Sequence, residues 1–211
     1  MPLQVGCPRC AAPVTRTPEG WVCVEHGLTV PLWRPGTATY EDLGEHLRLA
    51  AGFPTYLPWP MSPGWRVTDF AVVAEEQGRV CATLTCCSGT SALDGPVDVL
   101  VVSEETGTGL GARVAGLQRP DPGPDLGQGP PSVKVRLERQ AVGLWPVSTA
   151  GEESEWDRSV VAGEAEGRWL WLVLRPASAV LLLRDDWILR DVGTAGPSLV
   201  EMPFGGPGPS W

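Results

Sequence analysis

Four side chains near the start of the chain are of the kinds that hold soft metal ions, and their spacing is regular. Cys7 and Cys10 stand two residues apart, twelve residues follow, and Cys23 and His26 again enclose two. A pair at this spacing fits a tight turn that aims two side chains at one point. Two such turns supply four ligands for a tetrahedral ion. Three thiolates and one neutral imidazole suit Zn²⁺ among the common metals and give the site a charge of about −1. All four positions are filled by protein, which leaves none for water or substrate, so the expected role is structural. A redox Cys-x-x-Cys normally opens a helix after a strand. Here Ala11-Ala12-Pro13 follows instead, and the second pair would be unexplained.

The residues between the two pairs are suited to positioning them. Pro8 stiffens the first turn, Gly27 lets the chain bend after the second, and Pro18-Glu19-Gly20 marks a turn within a short hairpin. A segment of about 30 residues cannot bury enough apolar surface to fold alone, so metal binding supplies the energy. The pattern over residues 5–34 resembles the zinc ribbon, with Cys7, Cys10, Cys23 and His26 at the ligand positions. It departs from most ribbons in carrying His26 where they carry a fourth cysteine. Ribbons occur in transcription factors, ribosomal proteins, enzymes and adaptors, so the resemblance selects no activity.

Beyond the ribbon, Leu28–Trp33 reads as its last strand. Thr39 can cap a helix through about Ala51, with Leu43, Leu47 and Ala50 on one face. His46 is expected on the polar flank of that helix, in solvent. Leu57–Trp65 is too proline-rich for regular structure and is expected to pack as a lid. Strands are predicted at Arg66–Ala74, Arg79–Ser88, Val97–Ser103, Val133–Gln140, Gly143–Val147, Ser159–Gly163, Arg168–Arg175, Ala177–Arg184 and Trp187–Asp191. Their short connections imply mainly antiparallel pairing. Arg168–Arg175 is apolar on both faces, which predicts a central strand.

Glu104–Gly116 follows a buried strand and carries Gly107, Gly109 and Gly111. Gly107, Gly109 and Ala112 satisfy the dinucleotide fingerprint, but Pro120, Pro122 and Pro124 end any helix within two turns and no βαβ unit follows. The preferred reading is a tight strand-to-helix connection. Its backbone N–H groups, with Arg113, leave an anion or ligand loop as the alternative. Cys81, Cys86 and Cys87 read as small buried hydrophobes on one strand, with Cys81 and Cys87 facing one way and Cys86 the other. Asp185-Asp186 reads as a turn. With His26 committed to metal, no histidine-based catalytic site is evident and no catalytic residue is assigned.

Composition narrows the class. Hydrophobic residues make up 43%, enough for a real core, and 26 Gly with 22 Pro favour turns and short strands over helix. A net charge of −9 disfavours nucleic acid and anionic membranes. Residues 1–34 carry Arg9, Arg16 and Arg34 against Glu19 and Glu25, so the ribbon offers no basic patch. Neither a signal peptide nor a membrane span is read, and the clustered cysteines suit the reducing cytosol.

The motifs CPRC (7–10), GWVCVEHG (20–27), LPWPMSPGW (57–65), EETGTGLGARVAGL (104–117) with PDPGP (120–124), and GEAEGRWLWLVLRP (163–176) together resemble an uncharacterised family of actinobacterial proteins. The resemblance implies a cytoplasmic zinc-ribbon protein and no mechanism. The expected architecture is α+β: a zinc ribbon at 1–36, then a mostly antiparallel, Trp-rich sheet domain with one modest helix at 37–204, and a flexible tail at 205–211. The expected function is that of a zinc-stabilised protein binding a protein partner of unknown identity. An enzyme or small-ligand binder using a pocket near residues 107–116 is the alternative.

Overall fold

The alternation of apolar and polar residues dominates the chain, and a computed structural model shows what it builds. Residues 3–76, 78–149, 157–184 and 187–211 are described. Among them, eleven strands form one sheet and three form another. In chain order the strands are β1 (Gln4–Gly6), β2 (Val14–Thr17), β3 (Gly20–Cys23), β4 (Gly27–Thr29), β5 (Leu32–Arg34), β6 (Tyr56–Pro58), β7 (Arg66–Ala74), β8 (Val80–Ser91), β9 (Gly95–Glu104), β10 (Val133–Leu137), β11 (Gln140–Pro146), β12 (Ser159–Ala165), β13 (Arg168–Arg175) and β14 (Ile188–Asp191). The small sheet runs β2-β3-β4; the large one runs β1-β5-β7-β8-β9-β13-β12-β11-β10-β14-β6. Its pairings are antiparallel except β10 with β14.

The expected α+β class is corrected to a mainly β fold. The α-helices among the described residues are α1 (Tyr40–Leu49) and the six-residue α2 (Leu110–Ala115). Glycine and proline are too frequent elsewhere for a helix to extend. Thr39 caps α1 by accepting the Asp42 N–H at 3.2 Å, as its position predicts.

β13 lies sixth among the eleven strands, which is the central place its two apolar faces predict. Leu170, Leu172 and Leu174 face one core with Phe70, Val99 and Val101. Trp171 and Val173 face a second core with Leu84, Leu100 and α2. The far edge of the sheet folds back over the first core. There the buried Thr85 hydroxyl donates to the Tyr56 carbonyl at 2.6 Å, tying β6 across β8.

Several local expectations are revised. The strand read at Leu28–Trp33 is broken at Pro31: β4 stays in the small sheet, while β5 joins β1 and β7 in the large one. Leu57–Trp65 begins as β6, an edge strand where Pro58 needs no N–H partner on its open side. Ala177–Arg184 is a 3-10 helix. A short apolar run fits either period, and here the Ala179 N–H turns back to the Pro176 carbonyl at 3.0 Å. Cys81 shares the second core with Cys86, not the first with Cys87. A bulge explains this: β7 and β8 pair Val73 with Ala82 and Ala74 with Val80, skipping Cys81. The Asp185-Asp186 turn lies outside the described residues.

His46 is fully buried, contrary to the solvent-facing expectation. It falls three residues after Leu43 on the inward stripe of α1. Its Nε2 bonds Thr55 Oγ1 at 3.1 Å, and its ring meets Phe70 edge-on at 5.3 Å. Burial pulls its pKa down to about 3. The native state therefore binds this proton more weakly than the unfolded chain, and stability falls as pH drops below about 6.5, the free value. Between pH 7 and pH 5 the wild type should lose about 2 kcal/mol more stability than a His46→Gln variant, measured by urea denaturation at each pH.

Candidate metal centre and the glycine-rich loop beside it

The N-terminal unit is built around its Cys/His cluster. β2 and β3 form the hairpin, with Val14 opposite Cys23 and Thr17 opposite Gly20, so Cys23 ends β3 where the second ligand turn begins. The first turn follows β1. The Sγ atoms of Cys7, Cys10 and Cys23 and a ring nitrogen of His26 lie within 4.8 Å of one another, a group that could hold a metal ion. His26 Nδ1 stands 3.6 Å from Cys7 Sγ, 3.4 Å from Cys10 Sγ and 3.7 Å from Cys23 Sγ, and the Cys10 and Cys23 sulfurs are 3.6 Å apart.

Metal–sulfur bonds of about 2.3 Å and metal–nitrogen bonds of about 2.0 Å give a tetrahedron with edges of about 3.5–3.8 Å. The observed distances match, so the donor set suits a small tetrahedral ion held through Nδ1. The Arg9 backbone N–H points at Cys7 Sγ at 3.4 Å, a bond that favours thiolate. The thiols differ in acidity. Burial pushes Cys7 up to about 11. Burial also opposes ionisation of Cys23, but the backbone of Glu25 and the ring and backbone of His26 outweigh it and bring that thiol down to about 6.

The unit is joined to the body by arginines. Arg9 donates from Nη2 to the Gly107 carbonyl at 2.5 Å and from Nε to the Thr108 carbonyl at 3.3 Å. Arg113 donates to the Cys7 carbonyl at 2.5 Å and the Trp211 carbonyl at 3.3 Å. The Trp211 ring meets two guanidinium groups, Arg34 at 4.0 Å and Arg113 at 4.8 Å, and its indole N–H donates to Asp69 at 2.8 Å. Arg34 also pairs with the buried Asp69 at 2.6 Å. The segment read as a loose tail is therefore anchored at its last residue. Sequence pattern alone gave no sign of this, because Gly205–Ser210 carries no periodicity.

The residues read as an anion or ligand loop sit in this contact zone, but their donors are engaged within the chain. The Gly107 N–H goes to Asp121 at 2.8 Å, and the Leu110 N–H goes to Glu104 at 2.8 Å. Glu104 is fully buried, also receives the Gly111 N–H, and is pushed up to about 7 by that burial. Gly109 takes a φ of 85° at the start of α2, where its glycine identity is used for the turn. Gly111 has a packing role: a Cβ there would lie 2.4 Å from the Trp171 indole nitrogen. Arg113, as above, bonds two carbonyls.

A family model described as a family of unknown function (DUF6758) matches residues 1–211. The chain belongs to that family. No curated protein and no solved structure matches it. The DUF6758 match takes in both the ligand cluster and the residues that fasten it to the sheet, from Arg9 to Trp211.

Two outcomes follow from this geometry. Co²⁺ added to the metal-free protein should bind one per chain, with thiolate charge-transfer and tetrahedral d–d absorption; a Cys10→Ser variant should lose the tetrahedral spectrum. Gly111→Ala should cost about 1–3 kcal/mol in denaturant unfolding, because the fully buried Trp171 has no room to move.

Proposed function

We propose that this chain is a zinc-stabilised, protein-binding module of the cytoplasm, stapled by a structural Zn²⁺ at Cys7, Cys10, Cys23 and His26. Thiolate-rich tetrahedral donors favour Zn²⁺, and a site with four protein ligands has none left to exchange. Six free cysteines, three of them buried in the body, suit a reducing compartment.

One surface carries the binding reading. A groove of about 590 Å³ lies beside the proline-rich segment after β6, lined by Trp59, Met61, Trp65, Leu93, Leu182 and Trp187 among others. Trp65 and Trp187 meet edge-on at 6.3 Å, and Leu93 at the lip is 85% exposed. None of its described lining residues is charged, in a chain of net charge −9. Indole-lined, uncharged grooves suit an extended proline-containing segment, whose preformed backbone loses little entropy on docking. The enzyme alternative near residues 107–116 has less support, since Glu104 and Asp121 already take the N–H groups a substrate anion would need.

A fluorescently labelled proline-rich peptide titrated into the zinc-loaded protein tests this. Saturable binding that Leu93→Asp abolishes, with folding unchanged, is the expected result. Absence of binding, or binding that Leu93→Asp leaves intact, overturns the assignment of this groove.

A further inference from the structure

Residues 205–211 lie across the large sheet as a strap. Gly205 and Gly206 lead into it with φ of 100° and 104°, a region that glycine takes readily. The strap then passes close over β7: a Cβ on Gly208 would lie 3.2 Å from the Thr68 carbonyl oxygen. Its backbone is held by guanidinium groups. Arg34 of β5 donates to the Pro209 carbonyl at 3.2 Å, Arg175 of β13 to the Ser210 carbonyl at 2.7 Å, and Arg113 of α2 to the Trp211 carbonyl at 3.3 Å. The Trp211 ring packs on the second core.

The groups that receive the strap are held in place without it. Asp69 takes the Trp211 indole N–H on Oδ2, while its Oδ1 accepts the Phe70 N–H at 2.9 Å and Arg34 Nε at 3.2 Å. Arg113 is fixed by the Cys7 carbonyl at 2.5 Å. Under the strap, the Thr68 hydroxyl bonds Ser88 at 2.7 Å and Ser88 donates to Asp98 at 2.5 Å, a row that does not use the strap. A receptor already in its bound geometry loses little entropy on docking.

The strap itself contributes little burial. Pro209 is its one buried residue; Trp211 is half-buried, and Gly206, Pro207, Gly208 and Ser210 are exposed. Segments with few buried apolar contacts open at much lower cost than the core.

We infer that residues 207–211 are a displaceable strap, which fills in cis a site for an extended, tryptophan-bearing segment of a partner protein and blocks it. The site reads the indole N–H through Asp69, the ring through Arg34 and Arg113, and backbone carbonyls through Arg34, Arg175 and Arg113. A phenylalanine in the same place would leave the Asp69 oxygen without its indole donor. None of these residues lines the groove of Trp59 and Leu93, so the two sites are separable by mutation.

Two measurements on the full-length protein test this. In the wild type, exchange of the Trp211 indole N–H should be independent of urea below the unfolding transition, while β9 and β13 amides speed up with urea. Parallel urea dependence would make the strap part of the globally folded core and overturn the inference. The second measurement titrates an end-capped PGPSW peptide into a Trp211→Ala variant. Saturable binding is expected, at least about tenfold weaker for wild type, whose tethered strap competes at an effective concentration on the order of millimolar. A PGPSF peptide should also bind several-fold more weakly. No saturable binding to the folded variant, equal binding to variant and wild type, or binding that Leu93→Asp abolishes overturns the inference, the last by placing the peptide in the groove. If Trp211→Ala does not fold, the exchange measurement on the wild type decides.

Discussion

The ligand cluster is the core of the N-terminal unit. Between Leu3 and Arg34 the buried apolar residues are Cys7, Pro8, Cys23, Pro31 and Leu32, and two of those five belong to the Cys/His cluster. Leu32 packs into the large sheet's second core instead of the unit's own interior. With so little apolar surface removed from water, the conformational entropy of this segment is not offset by burial. Bonds to a metal ion, on the function proposed above, would supply the interaction that closes it. The turns that carry the Cys/His cluster set where β1 ends and where β4 begins.

Closure also reaches the body. β1 and β5 form one edge of the eleven-stranded sheet, paired Gln4 to Arg34 and Gly6 to Leu32, and β5 continues to β7 through Leu32–Val73 and Trp33–Val72. Trp33 adds an indole N–H bond to the Ala74 carbonyl at 2.8 Å. The arginines close the second route, from Cys7 through Arg113 to Trp211 and from Arg34 to Asp69. Asp69 is a buried acid whose burial raises its pKa, opposed by Arg34 and the Trp211 indole. Such a buried pair is costly to break from one side, since the remaining charge stays desolvated. The Cys/His cluster, the sheet edge and Trp211 thus form one connected unit.

Much of this was legible from residue types and spacing. The Cys7, Cys10, Cys23 and His26 cluster follows from two Cys-x2 pairs, the central strand from a run apolar on both faces, and the helix cap from Thr39. What stayed hidden depends on contacts between distant segments or on single-residue irregularities. Cys81 changes face because one bulge breaks the alternation. Ala177–Arg184 has the composition of a strand, but local i-to-i+3 bonds take it. His46 lies on a helix stripe whose width cannot be judged until Thr55 and Phe70 are in place. Trp211 meets Arg34, Asp69 and Arg113, residues far apart in sequence, which no local pattern can reveal. The glycine-rich loop misleads in a specific way: its glycines serve a turn and the close approach of Trp171, and its exposed donors are met by the chain's own carboxylates.

Hydrogen exchange on the metal-loaded and metal-stripped protein tests the dependence most directly. Removing the metal should strip protection from residues 4–34 and carry the loss to the Val72 and Ala74 amides of β7, which face β5 and Pro31, while β9 and β13 stay protected. Equal protection of residues 4–34 with and without metal would contradict the account, because that segment would then be shown to hold its strands without its ligand bonds.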